Sequence, residues 1–369
     1  MTEATQKTPA ELGFRMPPEW HPHQATWVAW PHNTDTWPDN LAAAQDEFIR
    51  MVETIAKAET VCVVASGDAL QQAGERLKHV SQIEFFDIAT NDAWIRDYGP
   101  TFVVNPTLGQ VAGIDWRYNG WGEKYPPFEA DMAAAKKICQ AAAVTTFSSR
   151  YVVEGGALEI NDQGDLLTTI SCLLNYNRNP APNATGPNDP VDEAQFYQHQ
   201  ADVSRILASM TGATSITWLS GMQIPGDDTD GHIDQQARYA DTQSLILAKG
   251  SNPADPMQAD FEVMVRELAT TFGGDGQALQ AMDLPLPPII ELSGRRIPAS
   301  YLNFYICNYG VLVPQFDSPL ADARAIDLMK AAFPGRRIIG LPSLNLACGL
   351  GSFHCLTQQQ PSASISKSN

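Results

Sequence analysis

Basic residues are scarce in this chain. Lys and Arg number 24 against 42 Asp and Glu, a formal charge of −18. Such a chain lacks the basic patch that nucleic acid or an anionic membrane surface demands, and neither is expected as a partner. No apolar run approaches the roughly 18–20 residues that a membrane helix needs. Cysteine is thinly spread: Cys62, Cys139, Cys172, Cys307, Cys348 and Cys355 form no Cys-x-x-Cys pair. That spacing argues against a zinc knuckle and against a disulfide framework. The start, Met1-Thr-Glu-Ala-Thr-Gln-Lys, has no apolar stretch of the kind a secretory leader carries. The expectation is a cytoplasmic protein with reduced thiols. Neither a low-complexity linker nor a sequence repeat divides the chain.

What remains is 369 residues, 44% of them apolar, enough for a large core. Strand-like and helix-like stretches alternate. Strands are expected at 25–30, 60–65, 83–88, 101–104, 165–170, 214–219, 243–248, 289–292 and 337–341. Helices are expected at 41–57, 68–79, 129–143, 192–210, 258–272 and 319–333, with a proline-rich link at 284–288. The alternation is an α/β signature. One domain over residues 14–361 is expected, between a flexible N-terminal segment (1–13) and a disordered tail (362–369). Trp27 and Trp30 are expected in the core.

Chemistry concentrates in a few stretches. In Leu346-Ala-Cys-Gly-Leu-Gly-Ser-Phe-His-Cys355, glycines allow a tight bend that exposes a thiol to substrate. Taken alone the stretch has two readings: Cys355 as a nucleophile, or a small buried hydrophobe, as Cys348 is expected to be. Asn91-Asp-Ala-Trp-Ile-Arg-Asp97-Tyr-Gly-Pro reads either as a salt-bridged turn or as a carboxylate aimed into a cleft with Trp94 as a flat wall. Glu154 is followed by Gly155-Gly156, which lets another chain or a ligand approach closely; Glu159 is expected on the solvated side. If His232-Ile-Asp234 is extended, both polar side chains share one face.

A thiol, a histidine and three carboxylates suit attack on a guanidinium carbon. Paired carboxylates hold the planar cationic fork through charge-assisted hydrogen bonds. The thiolate attacks the central carbon, and the histidine shuttles protons to ammonia and from water. This chemistry requires no metal and no cofactor.

The order of motifs resembles the agmatine deiminase family, relatives of the bacterial peptidyl-arginine deiminases. Those motifs are Glu19-Trp-x-Pro-His23, Asn91 to Pro100, Glu154-Gly-Gly, Thr229-Asp-Gly-His-Ile-Asp234, Ala299-Ser-Tyr-Leu-Asn-Phe-Tyr-Ile306 and His354-Cys-Leu-Thr-Gln-Gln359. They run from about Met16 to Pro361. The resemblance implies the pentein fold, a single-domain, fivefold pseudo-symmetric α/β propeller of ββαβ-type units. It implies that Cys355 is the nucleophile and His232 the general acid/base. Asp97 and Asp234 grip the guanidinium, Glu154 orients His232 and contacts substrate, and Trp94 packs on the methylene chain. The implied reaction is hydrolysis of agmatine to N-carbamoylputrescine and ammonia, and homodimerisation is what the family suggests. The stretch Gly349-Leu-Gly-Ser departs from the family's fuller glycine run, and Asn308-Tyr-Gly reads where a second glycine is common.

Two rival chemistries stand beside it. Asp230-Gly-His-Ile-Asp234, with Asp227 and Asp228 nearby, has the outline of a manganese ureohydrolase motif, but no second ligand motif follows it. A deiminase of another guanidine, such as peptidyl-arginine, is the other.

Overall fold

The computed structural model describes residues 7–363 apart from 188, 190–191, 251–256, 270–275, 277 and 293. Among the described residues the strands gather into five sheets built on one plan, plus a two-stranded ribbon. In each sheet the first and middle strands pair antiparallel, and the middle and third strands pair parallel. A parallel neighbour demands a crossover, and a helix supplies it each time. The middle and third strands with their crossover helices are His23–Ala29, Leu41–Ile55 and Thr60–Ala65; Gln110–Arg117, Ala134–Ala141 and Thr145–Val152; Asp165–Thr169, Glu193–Thr211 and Ser215–Leu219. Ser244–Lys249, Gln258–Ala269 and Gln280–Pro285 make the fourth set, and Gly310–Gln315, Pro319–Ala332 and Ile338–Pro342 the fifth.

The first sheet is closed by the far end of the chain. Thr357–Pro361 pairs antiparallel with His23–Ala29 and stands where the other sheets have a first strand. Residues more than 300 positions apart are thereby locked together, with Trp27 Nε1 donating to Gln360 Oε1 at 2.8 Å. The unit also gains a fourth strand, Ile83–Asp87. This is the fivefold ββαβ arrangement that the resemblance implies.

Hydrophobic patterning explains the layers. Strands interior to a sheet are apolar on both faces, as in Val61-Cys-Val-Val-Ala65 between His23–Ala29 and Ile83–Asp87, because helices cover one side and neighbouring units the other. Trp27 and Trp30 are buried in this core, as expected.

Several elements differ from the sequence reading. The expected helix 129–143 is two pieces, Glu129–Met132 and Ala134–Ala141, broken at Ala133. The proline-rich link at 284–288 begins inside a strand, Gln280–Pro285, which pairs with Ser244–Lys249 through register. Pro285 ends it, where a missing N–H costs least. Expected strand 289–292 shrinks to Glu291–Leu292. Within the segment expected to be flexible, Ala10–Leu12 forms a 3-10 turn whose Leu12 carbonyl accepts from Asn105 Nδ2 at 2.7 Å. The Ser362 amide, in the expected tail, donates to the Pro22 carbonyl at 2.7 Å. No helix among the described residues is long and apolar enough to cross a membrane.

Candidate active site

Each of the five units contributes chemistry from the same place, the short segment that leads into its first strand. Asp97 precedes Thr101–Asn105, Glu154 precedes Glu159–Ile160, and His232 with Asp234 precede Ala237–Tyr239. Asn303 precedes Tyr305–Cys307, and Cys355 precedes Thr357–Pro361. Repetition of the fold thus brings together residues that lie up to 258 positions apart, the separation of Asp97 and Cys355 in the sequence.

The contacts between these segments are backbone-tight. Asp97 sits on the one-turn helix Ile95–Tyr98. The Arg96 amide donates to the Cys355 carbonyl at 3.1 Å, and Arg96 Nε to the His354 carbonyl at 3.2 Å. The Gly-Gly pair serves the close approach that the sequence suggested. A Cβ on Gly155 would stand 2.1 Å from the Arg96 carbonyl. A Cβ on Gly156 would stand 2.5 Å from His232 Nδ1, 2.9 Å from Asp97 Oδ1 and 3.1 Å from Asp234 Oδ2. Gly156 therefore marks the point where three of the chemical groups meet. Its amide donates to Asp97 Oδ1 at 3.0 Å, and Trp121 Nε1 fixes the other oxygen at 2.9 Å.

Cys355 is 5% exposed, at the base of a cavity of about 520 Å³ whose walls include Trp94, Asp97, Trp121 and Gly351. Its thiol lies 3.7 Å from Asp234 Oδ2. Asn303 Nδ2 donates to the sulfur at 3.1 Å, while Asn303 Oδ1 accepts from the amides of Ser352 (3.0 Å) and Cys355 (3.2 Å). Burial pushes the thiol well above its ordinary range, and the Asp234 and Asp97 carboxylates add to that; Asn303 works the other way. The resting sulfur is accordingly a neutral thiol.

His232, Glu154 and Asp234 do not line the cavity; they stand behind Asp97 and Cys355. His232 begins a 3-10 turn, Ile233–Gln235, so the His-x-Asp pair is not the extended segment expected from the sequence. The two side chains still reach one spot, as Gly156 shows. His232 Nδ1 is 3.7 Å from Asp97 Oδ1, and Nε2 is 3.7 Å from Glu154 Oε2. Neither nitrogen has a partner within hydrogen-bond distance, and nor has Asp234 Oδ1. Three buried polar atoms left unpaired at one place are groups that a polar ligand would satisfy. Burial opposes a charged imidazole, but the Asp97 carboxylate, with Cys172 and Glu154, outweighs it and holds His232 well above its ordinary value.

The carboxylates divide by partner. Burial raises Glu154, but Arg178 overcomes it and brings the group down to about 2; Arg178 Nε donates to Oε1 at 2.5 Å. Burial raises Asp97, and Asp234 and Glu154 raise it further against the pull of His232. Asp234 is held below its ordinary value despite burial, because His354 Nδ1 lies 2.7 Å from its Oδ2. The other nitrogen of His354 lies 2.8 Å from Glu19, which also meets Arg96 at 3.4 Å and Arg238 at 3.0 Å.

Trp94 is buried against Trp37, ring centroids 5.3 Å apart, and forms a cavity wall. A Cβ on Gly351 would stand 2.6 Å from its ring. Glu159, expected in solvent, is buried: Arg238 Nε donates to it at 2.6 Å and the Tyr239 amide at 2.9 Å. The acids of the rival metal motif already have partners, within their own loop or from neighbouring segments. Asp227 accepts from the Thr229 and Gly231 amides, Asp228 from the Tyr125 hydroxyl, and Asp230 from Arg178 and Lys124. Asp230, His232 and Asp234 thus face different partners.

Sequence reasoning missed Asn303, Arg178, Trp121 and the Glu19–His354 link. Glu19, Asn303 and His354 all lie in motifs that carry the family resemblance, but asparagine and a lone glutamate announce no chemistry by themselves.

Comparison with known proteins agrees with this geometry. The profile of the Porphyromonas-type peptidyl-arginine deiminase family matches residues 15–361. The agmatine deiminase of Pseudomonas aeruginosa is 34% identical over 377 residues, covering 96% of this chain and 97% of that protein. The structure of the agmatine deiminase of Enterococcus faecalis catalysing its reaction superposes with a TM-score of 0.85 at 28% identity, over 98% of this chain and all of the other. A cysteine-to-serine variant of the C. jejuni agmatine deiminase with substrate bound gives a TM-score of 0.81 at 27% identity, covering 94% and 96%. The chain belongs to the Porphyromonas-type peptidyl-arginine deiminase family and has the pentein fold.

Proposed function

We propose that this protein hydrolyses agmatine to N-carbamoylputrescine and ammonia, with Cys355 as nucleophile. The observation that carries this reading is the convergence of one thiol, one imidazole and three carboxylates, drawn from four of the five leading segments, at and just behind the base of a single cavity. Curated agmatine deiminases 34% identical over nearly the whole chain favour agmatine over a protein-borne arginine.

The roles follow from charge. Before substrate arrives, a neutral thiol and a protonated His232 stand among the same acids, Asp97 and Asp234. A guanidinium carries its charge in a flat fork that Asp97 and Asp234 accept through paired N–H donors. Once that cation lies beside the sulfur, it offsets the carboxylates that held the thiol up, and the thiol proton leaves to solvent. The thiolate attacks the amidino carbon, and a C–S bond forms. His232 then gives its proton to the departing nitrogen, the C–N bond breaks, and ammonia leaves a thiouronium on Cys355. A water attacks the same carbon while His232 takes its proton. The C–S bond breaks, releasing the ureido product and the sulfur. Glu154, anchored by Arg178, holds the Nε2 side of His232 and contacts the substrate, and Trp94 packs along the methylene chain. The family suggests a homodimer, and the reduced cysteines suit the cytoplasm.

The test is product analysis. Chelator-treated protein incubated with agmatine is expected to release ammonia and a ureido product, identified by mass spectrometry. Putrescine and urea formed only on manganese addition would transfer the chemistry to the Asp227–Asp234 loop. Turnover of peptidyl-arginine with none of agmatine would replace the substrate.

A further inference from the structure

Behind the proposed catalytic thiol lies a second one that the deiminase reaction does not use. Cys172 sits on the short helix Ile170–Leu173 and is fully buried. Its Sγ is 3.6 Å from Glu154 Oε2, and that oxygen is 3.7 Å from His232 Nε2. One ligand atom from each of Glu154, Cys172 and His232 lies within 4.8 Å of the other two. His232 Nε2 is buried without a hydrogen-bond partner.

We propose that Glu154, Cys172 and His232 form a site for a thiophilic divalent cation, zinc being the best match, and that its occupation switches the deiminase off. The inhibitory part rests on the function proposed above; the binding part does not. Sulfur, imidazole and carboxylate together select zinc over hard cations such as magnesium or calcium. Tetrahedral zinc at about 2.3 Å from sulfur and about 2.0–2.1 Å from nitrogen and oxygen sets its ligands about 3.3–3.6 Å apart. The observed 3.6 and 3.7 Å need only a small contraction. Arg178 holds Glu154 by Oε1 and leaves Oε2 facing the other two groups. Its positive charge is met by Glu154 and by Asp230 at 2.9 Å.

The cation would occupy Nε2, the side of His232 away from Asp97 and Cys355. Binding would release two protons to solvent, that of the Cys172 thiol and the imidazolium proton that ammonia needs as it leaves, and would take the Glu154 oxygen that steadies the ring. Three buried ligands behind Asp97 make entry slow, so inhibition would develop with time rather than at once.

Cobalt reports the site without reference to turnover. Cys355→Ser removes the catalytic thiol, so a thiolate-to-cobalt charge-transfer band in the near ultraviolet can be read at Cys172. One equivalent of cobalt is expected to give that band and to be displaced by zinc. Adding Cys172→Ala should abolish it; Cys172→Ser, closer in volume, serves equally, because a hydroxyl gives no such band, and a thermal melt shows that the chosen variant is folded. In protein with Cys355 intact, Cys172→Ala should weaken time-dependent zinc inhibition of agmatine turnover at least a hundredfold. Absence of the band in Cys355→Ser, its survival without Cys172, or unchanged zinc inhibition in Cys172→Ala would overturn the assignment.

Discussion

Asn303 offers the sharpest test of how the cysteine is held. Its amide makes three close contacts in one buried place: a donor to the Cys355 sulfur and an acceptor for the Ser352 and Cys355 amides. Asn303→Ala deletes all three and strands two backbone donors. A buried donor left unpaired costs about 1–3 kcal/mol. Part of that cost falls on folding and part on the loop that aims the sulfur. With about 1.4 kcal/mol per tenfold in rate, a loss of about 3–4 kcal/mol of positioning lowers kcat/KM by roughly 100- to 1000-fold. Asn303→Asp separates charge from geometry. It keeps the acceptor for both amides but puts a third carboxylate beside the sulfur, next to Asp234 and Asp97. The thiol should then resist ionisation further, and kcat should fall at least a hundredfold while the melting temperature drops only a few degrees. Steady-state kinetics, a thiolate titration by ultraviolet absorbance and a thermal melt read the three quantities. If Asn303→Asp keeps kcat/KM within about threefold of the parent, the sulfur is not held as described.

Three other outcomes follow from the same structure. Gly156→Ala should abolish turnover, because a Cβ 2.5 Å from His232 Nδ1 displaces the imidazole; near-normal kcat would mean the ring is not needed there. Leu350 lies on the cavity wall with a φ of 80°, so Leu350→Gly should stabilise the loop by about 1 kcal/mol and shift KM, measured by melt and kinetics. Burial, with help from Asp92, pushes Asp131 up to about 8 from 3.8. Its folded value is raised, so its contribution is full below about pH 4 and is lost as pH rises through about 8. Asp131→Asn keeps an acceptor for the Asn91 amide and removes the ionisation. It should be more stable than the parent above pH 8, by a few kcal/mol in order of magnitude; a parallel loss in both proteins from pH 5 to pH 9 would contradict the assignment.

The candidate site was more legible in the sequence than the fold's repetition was. Cys355, His232, Asp234, Asp97 and Glu154 each sit in a short motif whose glycines or neighbours hint at a purpose, and the structure gathers all five. The fivefold plan left no such trace, because it lives in strand pairing. One first strand, Glu159–Ile160, is two residues long, and another, Thr357–Pro361, comes from the opposite end of the chain. Glu159 was misplaced for a related reason: its partner, Arg238, is 79 residues away, beyond any local pattern. Asn303 was hidden in an apolar run, and Arg178 in a loop of asparagine and proline. The His-x-Asp segment reached the right conclusion through the wrong geometry. A 3-10 turn, not an extended strand, directs both side chains to Gly156.

The central claim is that agmatine becomes attached to Cys355 during turnover. The direct measurement is mass spectrometry of protein quenched in acid within the first turnovers, followed by peptide mapping. A mass gain equal to agmatine less ammonia, carried by the peptide containing Cys355 and absent from Cys355→Ser, is the predicted result. Turnover with no adduct on that peptide, or undiminished turnover in Cys355→Ser, would contradict the account.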